Sequence, residues 1–369
     1  MRAPLYIASV DSYSGKSLTA LALGLELRDA GHRVGYFKPI GSLPHDVHGV
    51  TTDEDAHFIS THLNPDAPVD AICPVILNPE LINRAISNDL GDISTAIKAA
   101  YEKIAEGRDI VLVGGVGDLS RGSLLGLSAP EVADLLGARV LLLAKLSSES
   151  MVEEVLLAHR LLRDHFGGVI FNFVGSDEED ALAGPLREHL ESQGIPVLGA
   201  VPPDELLGAI TARELIEHLP AKPLCCEKAL DDLIVHFVIG AMGVASAAKY
   251  FRQLADKAVI TGGDRADIQL AALQTATRAI VLTGNIYPSS PIVNRAQQLG
   301  VPLLLAPHDT LATVERIEHI AGRLRVRESA KVERARALFQ KHVDLGRIMD
   351  IAGLSAESRG ESINAKRGT

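Results

Sequence analysis

The chain has 369 residues, 47% hydrophobic and 22% charged, the balance of a globular protein long enough for two or three domains. A formal net charge of −11 argues against nucleic acid as the main partner; no apolar run approaches the roughly 20 residues that span a membrane, and the N-terminal MRAPLYIASV lacks the pattern of a cleaved leader. Three cysteines (Cys73, Cys225, Cys226) cannot make a disulfide framework and the histidines form no zinc-type cluster, so a reducing, cytoplasmic setting is expected.

In chain order, Leu5–Val10 is an apolar run that predicts a strand, and after the small-residue stretch DSYSG, Lys16 and Ser17 open a helical pattern marked by Leu18, Leu21 and Leu25. Such a loop turns backbone N–H groups inward while the helix start adds its positive dipole end, which predicts phosphate binding. Lys16 would reach the β- and γ-phosphates, and the Ser17 hydroxyl a Mg²⁺ ion. The loop is a variant: the simple pattern has glycine where Val10 stands, and a one-residue-longer version has it at Ser9.

Further apolar runs at 34–37, 110–113, 140–144, 169–174 and 197–200 alternate with helical patterns at 17–30, 93–105 and 151–165. Together they predict an α/β fold with a mostly parallel sheet covered by helices on both faces. Ligands of such sheets bind at the carboxyl ends of the strands. Lys38, in YFKPIG, stands at one such end, as a crevice lysine or a solvated loop residue. Asp53, Glu54 and Asp55 start a helix; they cap it, or Asp55 holds Mg²⁺ on the phosphates. VLVGGVGDLSRG (111–122) is a strand ending in a glycine-rich loop, with Asp118 its nearest acid and Arg121 a candidate phosphate contact. Asn172, in the apolar VIFNFV, requires an internal partner or a ligand such as a nucleobase.

The two prolines of LPAKPLCCEK (219–228) break the periodicity and suggest domains at 1–220 and 221–325, with 326–369 a charged helical segment and disordered tail. Strands are expected in the second unit at 257–260, 279–282 and 303–306. AVITGGDRADIQLAAL reads as a strand, a turn at Gly262–Gly263, and a helix capped by Asp264 with Asp267 at its third position. TGNIYPS, with Asn285, is a second strand end of similar type.

With these residues in view, positions 1–220 resemble the dethiobiotin-synthetase-like P-loop domain found at the N-terminus of long bacterial phosphotransacetylases. The stretches that carry the resemblance are SVDSYSGKS, YFKPIG, DEDA, VLVGGVGDL, VIFNFV and IPVLGAVPPDELL. Positions of about 222–320 resemble a DRTGG domain through FVIGAMGVASAAKYF, AVITGGDRADIQLAAL, LTGNIYP and LLLAPHDTLATVERI. The resemblance implies a nucleotide site of Asp11, Ser12, Ser14, Gly15, Lys16, Ser17 and Asn172, with Ser17 and Asp55 on the metal and Lys38 as catalytic lysine. It implies ATP or another nucleoside triphosphate and Mg²⁺ as cofactors, and a homo-oligomer, a dimer by preference. Gly262, Gly263, Asp264, Arg265 and Asn285 are its ligand or interface candidates in the second domain.

Two departures stand out: Ser9 replaces the leading glycine, and Gly114 replaces the metal-binding acid of a Glu-Gly-x-Gly strand end. The sequence thus predicts a nucleotide-responsive regulatory protein with at most slow ATPase activity. Because the chain stops soon after the DRTGG-like unit, acetyl transfer is not expected of it. The rival readings are an ATP-dependent carboxylate-activating ligase and a structural oligomerisation module with a vestigial P-loop.

Overall fold

In the computed structural model, which describes residues 3–11, 14–145, 150–321 and 329–354, the first apolar run becomes β1 (Leu5–Ser9), buried along its whole length. α1 (Lys16–Asp29) and β2 (Val34–Phe37) follow. A hairpin of β3 (Pro44–Val47) and β4 (Val50–Asp53) then leads into α2 (Glu54–Leu63). The remaining sheet strands of this unit are β5 (Ile110–Gly114), β6 (Arg139–Lys145), β7 (Phe166–Asn172) and β8 (Val197–Val201). The spatial order is β8-β7-β6-β1-β5-β2, and every pairing is parallel. Near-continuous apolar strands suit this sheet, because helices bury both of its faces. From β1 the chain passes over β5's place to β2, returns to β5, and then crosses to β6 on the other flank. The end of β1 is therefore a topological switch point, where open α/β sheets leave a crevice.

The second unit runs through β9 (Lys222–Pro223), β10 (His236–Ile239), β11 (Lys257–Gly262), α3 (Ala266–Leu273), β12 (Thr277–Thr283) and β13 (Leu303–Leu305). Its sheet has the order β9-β13-β12-β11-β10. The edge strand β9 is antiparallel to β13 and the others are parallel.

The domain boundaries differ from the expected 1–220, 221–325 and 326–369: the units are Met1–Pro203 with Arg325–Thr369, and Asp204–Leu324. Pro220 and Pro223 do not mark a linker. Lys222 and Pro223 pair with Leu305 and Leu304 at the edge of the second sheet, a place where proline is tolerated. Just before them, Ile210, Ala212, Leu215 and Leu219 are buried in one cluster with Ile260, Val281 and Leu304, which assigns 204–220 to the second unit.

The C-terminal segment also departs from the expectation of a separate piece. Helix α4 (Ser329–His342) packs on α1, and Val343 bridges to Gly199 of β8. Arg336 donates to Glu26 Oε1 (2.9 Å) and Asp29 Oδ2 (2.6 Å), while Gln340 Nε2 donates to Glu26 Oε2 (2.9 Å). Helix α1 is consequently buried from Leu18 through Leu27 rather than along one face. The tail at 355–369, expected to be disordered, lies outside the described residues. Among the described residues no helix is long and apolar enough to cross a membrane.

Candidate nucleotide site

The loop between β1 and α1 lies at the switch point, and its ending is set by Gly15. That residue has φ 91°, a left-handed conformation that favours glycine. A Cβ there would stand 2.5 Å from Asn172 Nδ2. Gly15 is the N-cap of α1 without a side-chain cap bond, and the first turn carries no acid. The helix thus carries no acid of its own to offset its positive end. Beside it, Ser14 is fully buried, and its Oγ has no hydrogen-bond partner among the described residues. A buried hydroxyl without a partner is costly. An anion seated on the helix start would supply an acceptor, so the residues present fit a phosphate group.

Lys16 reaches across the loop. Its Nζ donates to Ser9 Oγ (2.6 Å), Gly117 O (2.6 Å) and Asp11 O (3.4 Å). The single Ser9 hydroxyl proton faces two carbonyls, Asp11 O (2.6 Å from Oγ) and Gly117 O (3.2 Å). The serine that replaces glycine therefore ties β1, the phosphate-type loop and the glycine-rich loop after β5 into one knot. Burial lowers the Lys16 ammonium first and Lys38 adds to this; Asp118 opposes, Lys145 lowers and Asp11 opposes again, leaving it at about 8.

Ser17 Oγ donates to Asp55 Oδ2 at 3.1 Å, so the structure joins the two residues expected to share a cation. A hydroxyl and a carboxylate are hard oxygen donors of the kind Mg²⁺ takes together with phosphate oxygens and water. The set is short of protein acids: among the described residues no group of three or more His, Cys, Asp or Glu is disposed to hold a metal. Asp118 is engaged by its own loop. Its Oδ1 accepts from Ser120 N (2.8 Å), Ser120 Oγ (2.6 Å) and Arg121 N (3.2 Å), closing its own loop. Arg121 is exposed.

Lys38 is buried, and its Nζ meets Asp53 Oδ1 at 2.7 Å. Burial alone would lower the lysine, but Asp53 and Asp55 outweigh it and hold the ammonium above its usual range. Asp53 also accepts from Ser42 N (3.0 Å), Leu43 N (3.1 Å) and, as the N-cap of α2, Ala56 N (3.0 Å). For Asn172 the internal partner is present: Nδ2 donates to Ser14 O at 2.9 Å and Oδ1 accepts Phe173 N–H at 3.0 Å. The amide buttresses the loop from behind. Of the expected set, Asp11 contributes its carbonyl to the Lys16 knot, and Ser12 lies outside the described residues. Sequence reasoning missed Asp53 as the partner of Lys38 and Ser9 as the partner of Lys16.

In the second unit the loops after β11 and β12 interlock. A Cβ on Gly263 would stand 1.7 Å from Ile286 O, and Asn285 turns the second loop with φ 54°. Beneath them Gln269 is fully buried; its Nε2 donates to Gly262 O (2.8 Å) and Gly263 O (3.0 Å). The expected cap at Asp264 is corrected. The N-cap of α3 is Arg265, without a side-chain cap bond, and Asp267 pairs with the Arg265 guanidinium at 3.1 Å. The turn runs one residue longer because Arg265 N–H bonds back to Gly262 O at 3.1 Å.

Comparison with known proteins identifies the families of the two parts of the chain. The AAA_26 family model, an AAA domain, matches residues 3–211, and the DRTGG domain model matches residues 214–320. A phosphate acetyltransferase of Synechocystis sp. is 25% identical over 364 residues, covering 93% of this chain and 51% of the relative. A hydrogenobyrinate a,c-diamide synthase of Mycobacterium tuberculosis is 29% identical over 218 residues, 56% of this chain and 43% of the relative. Among solved structures, the MinD cell division protein of Aquifex aeolicus aligns with TM-score 0.33 at 13% identity, over 56% of this chain and 84% of that one. The chain spans about half the length of the phosphate acetyltransferases it matches. It belongs to the AAA_26 family, with a P-loop domain followed by a DRTGG domain, as in the N-terminal half of phosphotransacetylases.

Proposed function

We propose that this chain is a nucleotide-binding regulatory protein whose first unit takes ATP or another nucleoside triphosphate. The observation that carries the reading is the buried Ser14 hydroxyl, without a partner among the described residues, at the start of α1 that has no side-chain cap bond, with the Lys16 ammonium alongside. In this reading Ser14, Gly15 and Lys16 hold the phosphates, and Ser17 and Asp55 hold a divalent cation such as Mg²⁺ against them. Phosphate binding draws Lys16 out of its knot with Ser9 and Gly117 and moves both loops. A regulatory role is favoured over a ligase of the dethiobiotin synthetase type because Lys38, which the ligase needs, is spent on the buried Asp53.

The reading is tested by calorimetric titration with ATP between pH 7 and 9, with ADP release followed on the same samples. The Lys16 ammonium, lowered to about 8, loses its proton across this window, and only the charged form attracts phosphate. Affinity is expected to fall about tenfold from pH 7 to pH 9, following the charged fraction. Because bound phosphate raises the lysine again, binding near pH 8 should take up protons. ADP should appear slowly throughout. Rapid ADP release dependent on a carboxylate substrate would point to the ligase instead.

A further inference from the structure

The strand ends beside the loop before α1 carry an exposed aromatic ring and a lysine. Lys145, the last residue of β6, lies opposite Asn172, the last of β7, and Phe173 follows. Asn172 Oδ1 accepts the Phe173 N–H at 3.0 Å while Nδ2 donates to Ser14 O at 2.9 Å. One amide thus ties the phenylalanine to the loop that would hold the phosphates. Phe173 takes φ 58°, a left-handed conformation that bulky residues seldom adopt, and it is 37% exposed. Among the described residues, every other phenylalanine or tyrosine of the first unit is buried or half-buried. Lys145 Nζ stands 5.4 Å from the ring centroid, within cation–π range, and the same ammonium acts electrostatically on Lys16. Backbone strain of this kind gathers at ligand clamps.

We propose that Phe173 is the platform on which the nucleobase stacks, and that stacking rather than hydrogen bonding holds the base, so that ATP and GTP bind alike. The inference rests on the nucleotide reading above. Asn172, the polar side chain next to the ring in the chain, is engaged at both ends of its amide. It cannot turn to a base edge without releasing Ser14 O and loosening the loop. Stacking asks only for a π-face, which every base has. Lys145 steadies the ring without covering it, since Phe173 stays exposed beside the ammonium.

The test is calorimetric titration of the full chain, with Mg²⁺ present, using ATP, GTP and base-free tripolyphosphate. Wild-type dissociation constants for ATP and GTP should agree within about threefold. Phe173→Ala should weaken both nucleotides by about tenfold or more, the scale of one base–aromatic stack, and leave tripolyphosphate unchanged; Phe173→Tyr should restore nucleotide affinity. A difference between ATP and GTP above about tenfold overturns the inference, as does unchanged nucleotide affinity in Phe173→Ala. Equal weakening of tripolyphosphate overturns it too, because the ring would then act through the loop. If none of the three ligands binds the wild type, the nucleotide reading itself fails and this inference with it.

Discussion

Asp53→Ala is expected to destabilise the first unit by about 3–5 kcal/mol, the range for breaking a buried ion pair from one side. The carboxylate is fully buried and accepts from Lys38 Nζ and three backbone N–H groups. Alanine leaves a buried ammonium without its counter-charge and removes the cap of α2. Urea unfolding followed by far-ultraviolet circular dichroism reads the effect. A loss below about 1 kcal/mol, the scale of an exposed pair, would show that Lys38 reaches water or another acid, and would return it to the candidates for catalysis. Lys38→Met should be milder than Asp53→Ala, since it removes the charge that needs a partner while the carboxylate keeps its three backbone donors.

Gly263→Ala should be comparably damaging in the second unit, at about 3 kcal/mol or more, the upper range for overpacking. The cause differs. The contact at 1.7 Å is with the Ile286 backbone oxygen, which cannot rotate away as a side-chain tip can. Separation of the two loops would expose the fully buried Gln269 amide, which spans Gly262 O and Gly263 O. Gly243→Ala is the control, because a Cβ there meets nothing within 4 Å. Equal stability of the two variants would contradict the interlocked-loop account.

These residues show what a linear reading can and cannot supply. The six parallel strands of the first sheet were legible because strands buried on both faces read as continuous apolar runs, and β2 has the predicted limits 34–37. The β3–β4 hairpin was not. Pro44 opens it, none of the residues of its first strand is buried, and its turn depends on His48 and Gly49, both at positive φ. Helix α4 read as part of a charged helical segment. Only the tertiary fold shows that Arg336 and Gln340 answer Glu26, some 310 residues away for the arginine. At the site, local spacing pointed to Lys16, Ser17 and Asp55. Spacing could not reveal the close approach of Tyr36 Oη to Gly114, where a Cβ would stand 2.1 Å from it, which requires the strand register. Nor could it reveal that Asn172 holds the loop through Ser14 O, a bond closed over 158 residues.

The central claim, that the first unit binds a nucleoside triphosphate on the loop before α1, is tested most directly by calorimetric titration of ATP into wild type and Lys16→Ala. The account predicts saturable binding to wild type and its loss in the variant, with the fold of both confirmed by circular dichroism. Equal affinities, or no heat with either protein, would contradict it and leave the loop a relic of the family fold.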